Sequence, residues 1–145
     1  MLGQIDHVGY LAADLETSLE AMVTKLGLPV AKRFERPRFE LVGAYLGEGH
    51  PGVEIFTFTD PELTARRLAG RGGLVLDHVA WRVAGIEALC VELRARGVRF
   101  CGPDNREELA GPVELDGVLH VWTVPETSCG QSLQLLQPLA TAHIV

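Results

Sequence analysis

The chain has 145 residues, a net charge of −6 at pH 7 and a pI near 5.3, and 47% of it is hydrophobic. A chain of this size buries enough surface to fold as one domain, here taken as 1–145, without disulfide or structural-metal staples. The acidic balance argues against nucleic acid or an anionic membrane as partner, and no apolar run is long enough for a transmembrane helix.

In chain order, the first element is an apolar, strand-like run that carries "IDHVGY" at 5–10, with His7 inside it. Apolar residues at Leu15, Leu19, Met22, Val23 and Leu26 then follow helical spacing. Asp14 is placed to cap that helix, and Gly27 suits the left-handed position that ends it. Strands are predicted near 29–35, 39–46 and 52–58. The polar, Gly-rich stretch 60–74 reads as a connector, with "ARR" at 65–67 as a solvated face.

The second half begins again with "LDHVAW" at 76–81, His78 standing where His7 stood. A second helix carries Ile86, Leu89, Cys90 and Leu93 on its apolar stripe and ends at Gly97. Strands near 98–101, 116–124 and 131–137 follow, with a long loop over 102–114. The chain is therefore a duplicated βαβββ module, module one about 1–60 and module two about 75–140, in register to within one residue. The expected fold is α+β, with a cup-shaped, mostly antiparallel mixed sheet. The three cysteines, odd in number and without a CxxC pair, suggest a reduced, cytoplasmic chain, with Cys90 in the core.

Paired βαβββ modules that each open on "DHV" resemble the vicinal oxygen chelate superfamily, the glyoxalase, bleomycin-resistance and extradiol dioxygenase group. "IDHVGYLAADLETSLE", "LDHVAWRV" and "WTVPETSCGQSLQLLQP" are most similar to its methylmalonyl-CoA epimerase members. The resemblance implies a divalent metal (Zn, Co, Ni, Mn or Fe(II)) held by His7, Glu54, His78 and Gln134. Two imidazoles, a carboxylate and an amide oxygen suit such an ion. Strand alternation agrees: Glu54 lies between Val53 and Ile55, and Gln134 between Leu133 and Leu135.

The resemblance further implies a lyase or isomerase that stabilises an enolate of a small oxygenated substrate, and a homodimer. Glu54 and Glu35 are the candidate proton-transfer groups, with Glu40 as alternative to Glu35. Tyr10, Phe56, Trp81 and Trp122, with Phe58, are candidates to line a substrate cup. The chain departs from the epimerase pattern in two ways. Epimerases pair Gln in module one with Glu on the closing strand, the reverse of Glu54 and Gln134. Their closing turn carries a His-Pro-Lys and a Gly-Gly pair, where this chain has "VPETSCG" with Glu126; both weaken a CoA thioester as ligand. The alternative reading is a metal-free protein of the same fold that sequesters an antibiotic or other small molecule. Asp6 and Asp77 read as turn or strand-start residues, His50 and His143 as solvated, and His120 as a strand residue of undetermined face.

Overall fold

The computed structural model describes residues 2–49 and 51–140. Its described part is α+β, with nine strands and three helices in chain order. The chain divides into two compact units, His7–Asp77 and a second unit made of the residues through Asp6 together with those from His78 onward. His50 and His143 lie outside the described residues.

In the unit His7–Asp77, β1 (Ile5–Ala12) pairs in parallel with β4 (Gly52–Phe58). β4 pairs antiparallel with β3 (Leu41–Leu46), and β3 with β2 (Val30–Arg36). α1 (Leu15–Leu26) begins at Asp14, whose carboxylate accepts from the Thr17 amide at 2.8 Å, and ends at Gly27 with φ 67°. Its buried face packs Leu19 against Ala12, Ala44, Leu46 and Ile55, with Tyr10, Leu15, Met22 and Val53 around them. Burying a side chain such as Leu19 or Ile55 is worth about 1.5–3 kcal/mol, which is what fixes this face of the strands inward. Alternation then turns His7, Glu54, Phe56 and Tyr45 to the other face. Gly43 sits on that same face because nothing larger fits: a Cβ there would lie 2.5 Å from the Phe34 ring and 2.6 Å from the Ile55 carbonyl oxygen.

The stretch 60–74, read as a connector, contains a helix, α2 (Pro61–Leu68). Asp60 caps it by accepting from the Glu62 amide, Pro61 takes the first turn, and Leu63 and Leu68 are buried. Its basic pair is not uniformly solvated either. Arg67 makes a two-point ion pair with Asp77 at 2.8 and 3.0 Å, and both side chains are largely buried. Asp77 is thus a mid-strand ion-pair partner rather than a strand start, within β5 (Leu74–Arg82).

In the second unit β5 pairs in parallel with β9 (Ser132–Pro138), and β9 antiparallel with β8 (Val118–Thr123). The short strands β6 (Phe100–Cys101) and β7 (Val113–Leu115) both pair with β8. The sequence predicts a loop over 102–114 and one strand near 116–124 where β7 and β8 stand. They form a hairpin whose two-residue turn, Asp116–Gly117, has positive φ at both positions, as an Asp-Gly turn favours. α3 (Ile86–Ala95) buries Ile86, Leu89 and Cys90, and the Gln137 side-chain oxygen accepts from the Ile86 amide at its start. Gly97, just past its end, has φ 89°. The N-terminal residues belong to this unit: Gly3 and Gln4 exchange backbone hydrogen bonds with Arg82, and Asp6 pairs with the Arg82 guanidinium.

Candidate functional site

Both units use one strand offset to present polar side chains. In the first, Gly9, two residues after His7, is opposite Glu54 across the parallel ladder. In the second, Ala80, two residues after His78, is opposite Gln134. On the antiparallel side, Tyr45 faces Glu54 and Trp122 faces Gln134. The duplication read from sequence is therefore kept pair by pair, and Glu54 and Gln134 are equivalent positions.

In the unit His7–Asp77, His7 is 1% exposed and Glu54 7%. The His7 Nε2 lies 3.3 Å from the Glu54 Oε2. A carboxylate this buried is costly without a compensating charge or donor, and the imidazole is beside it. The Tyr45 ring meets His7 edge-on at 5.4 Å and Phe34 at 4.9 Å. Phe56, on the Glu54 face, is buried and packs edge-to-face on Phe58 at 5.6 Å.

In the second unit His78, Gln134 and His120 are all buried. The Gln134 Nε2 is 2.8 Å from the His120 Nδ1, and the His120 ring stacks on Trp122 at 5.8 Å with planes 9° apart. Ser132, opposite His78 in the ladder, has a buried hydroxyl with no hydrogen-bond partner among the described residues.

Other candidates lie elsewhere. Tyr10 packs with the α1 cluster, on the opposite face of β1 from His7. Trp81, opposite Leu135, alternates away from His78 on β5. Glu35 is exposed and opposite Val42, on the face of β2 turned away from Phe34 and Glu54. Glu40 is exposed at φ 52° in the turn before β3. Sequence reasoning missed Tyr45 and Phe34 and gave His120 no role. Alternation from Glu54 across the neighbouring strand would have indicated Tyr45 once the register was known; nothing local marks it.

A family model described as Glyoxalase/Bleomycin resistance protein/Dioxygenase superfamily matches residues 6–112. No curated protein sequence matches the chain. Among solved structures, methylmalonyl-CoA epimerase from Mycobacterium tuberculosis is similar at 22% identity and TM-score 0.80, over 97% of this chain and 91% of that one. Streptomyces coelicolor methylmalonyl-CoA epimerase in complex with 2-nitronate-propionyl-CoA is similar at 20% identity and TM-score 0.79, over 97% and 100%. A selenomethionine methylmalonyl-CoA epimerase gives 24% and 0.76, over 95% and 97%. At these identities the structural likeness establishes the fold. With the family model spanning most of its length, the chain belongs to the glyoxalase/bleomycin resistance protein/dioxygenase superfamily.

Proposed function

We propose that this protein is a metal-dependent isomerase or lyase that removes a proton from the carbon next to a carbonyl, in a small substrate carrying two neighbouring oxygens. In this reading His7, Glu54, His78 and Gln134 hold one divalent ion. The observation that carries it is that His7 and Glu54, both buried, lie 3.3 Å apart on one face of their unit, and that His78 and Gln134, also buried, hold the equivalent ladder positions in the other. The donor set fits: two imidazoles and one carboxylate leave a divalent ion with net positive charge, and an amide oxygen is a neutral fourth donor. When bound, such an ion supplies positive charge for the oxygen on which negative charge develops.

The chain's own residues do the rest. Glu54, the carboxylate on the His7 face of β4, would serve as the base by giving up its place as a metal donor during turnover, taking the proton from the substrate carbon and returning it. Glu35, exposed on the other face of its strand, gives no support for a second base there. Tyr45 beside His7, with Phe34 packed on Tyr45, and Trp122 opposite Gln134 would supply apolar walls that exclude water around the reacting carbon. The membership of the superfamily and the epimerases among its structural neighbours support a reaction of this class.

The test is metal analysis of protein purified without chelators. About one equivalent of a divalent ion is expected, and His7→Ala or His78→Ala should weaken binding at least tenfold, since no imidazole replaces the lost one. Failure to hold a metal after Zn, Co, Ni or Mn is added back would sink the reading and leave metal-free ligand binding. Proton NMR in deuterated water on the loaded protein, following α-hydrogen exchange of candidate substrates, tests the chemistry separately.

A further inference from the structure

We infer that His120 is a positioning residue that selects which end of the Gln134 amide is presented to the metal, an inference that rests on the proposed metal reading. An amide has one donating and one accepting end, and only its oxygen has a lone pair for a cation. Left free on a buried strand, the group has two orientations, and in one of them the NH₂ faces the ion. The His120 Nδ1 lies 2.8 Å from the Gln134 Nε2. With the imidazole proton on Nε2, Nδ1 is an acceptor, the amide NH₂ donates to it, and the carbonyl oxygen is left for the metal. His120 is itself held by its stacking on Trp122 and by burial to 5% exposure. The stack holds the ring plane beside the amide.

The duplication supplies a contrast. By strand register His120 occupies the place that Gly43 has in the first unit: His120 is opposite Leu136, Gly43 is opposite Phe56, and each stands one alternation beyond the proposed ligand's partner. Gly43 has no room for a side chain. The equivalent proposed ligand there, Glu54, needs no such device, because both oxygens of a carboxylate are acceptors and either presents a lone pair. A side chain that fixes orientation thus accompanies the ligand whose two ends differ.

Calorimetric titration with Co(II) or Zn, together with the visible spectrum of the Co(II) form, tests this without reference to activity. His120→Phe keeps a flat ring on Trp122 and removes the acceptor. It should weaken metal binding about 10- to 100-fold, the range for loss of a group that orients a ligand, and alter the Co(II) bands. His120→Gln, whose carbonyl can accept from the Gln134 amide, should keep affinity within a few-fold. In a Gln134→Ala background, His120→Phe should have no further effect. His120→Leu is the second variant if the Phe form fails to fold by circular dichroism. Equal metal affinity and spectra for the unaltered chain and the Phe or Leu variant would overturn this inference alone. An effect that persists in the Gln134→Ala background would overturn it as well. Absence of metal binding by the unaltered chain would overturn the proposed function and this inference with it.

Discussion

Cysteine burial separates three thiols that composition alone treats alike. Cys90 is 1% exposed, and burial pushes its thiol up from the ordinary cysteine value, so it is less reactive near neutral pH. Cys101 is also buried, with its sulfur 3.6 Å from the Asn105 side-chain oxygen. Cys129 is exposed in the turn before β9. One thiol per chain should therefore react rapidly with a disulfide reagent under native conditions, and all three in denaturant. Fast modification of more than one native thiol would contradict this burial. At the same scale, Glu54 and His7 show why a buried acid is a functional signal: it is flanked by apolar neighbours in sequence, and in the structure the group beside it is an imidazole.

At the scale of elements, α1 illustrates how local chemistry and packing divide the work. Its start depends on Asp14, whose carboxylate pKa is held below the ordinary aspartate value, chiefly by the hydrogen bond from the Thr17 amide. A lowered folded pKa means the stabilising contribution is full above the unfolded value, near 3.9, and is lost as pH falls through the folded one. Asp14→Ala should lower the melting temperature at pH 7. The gap between the two proteins should hold down to about pH 5 and close at lower pH, as the carboxylate protonates. A gap that widened on acidification would contradict the cap. α2 makes the complementary point. Its eight residues carry only Leu63 and Leu68 as apolar contacts, too few for a visible period, and its cap and proline were masked by the Arg and Gly residues that follow.

For the whole molecule, charge bears on ligand choice. The net charge of −6 opposes approach of a polyanionic ligand. Glu126 is exposed in the closing turn between β8 and β9, near Arg99, whose pKa is raised chiefly by its hydrogen bond to Glu108 and least by Glu126. Both features disfavour a CoA pyrophosphate, although solved epimerases share the fold. Methylmalonyl-CoA should therefore bind weakly to the metal-loaded protein. Any measurable association should quicken with added salt, because screening relieves like-charge repulsion. Micromolar affinity with rapid α-deuterium exchange would reverse this and identify CoA thioesters as ligands.

The repeated "DHV", the two helices with their caps and glycines, and the alternation around Glu54 and Gln134 were legible without coordinates. Each is a local pattern: a duplicated phrase, a 3.6-residue stripe, a period of two. These patterns located most of the strands and the two modules, the resemblance to the superfamily supplied the four candidate donors, and the ladders place Glu54 and Gln134 at equivalent positions. Tertiary structure decided what depends on register and on partners distant in sequence. It set Tyr45 opposite Glu54 and turned Tyr10, Trp81 and Glu35 to the other faces of their strands. It paired Arg67 with Asp77, and it brought His120 to the Gln134 amide across fourteen residues. Alternation assigns a residue to one of two faces, but only the core that packs against one face says which of them is covered, and so which side chains remain available for chemistry.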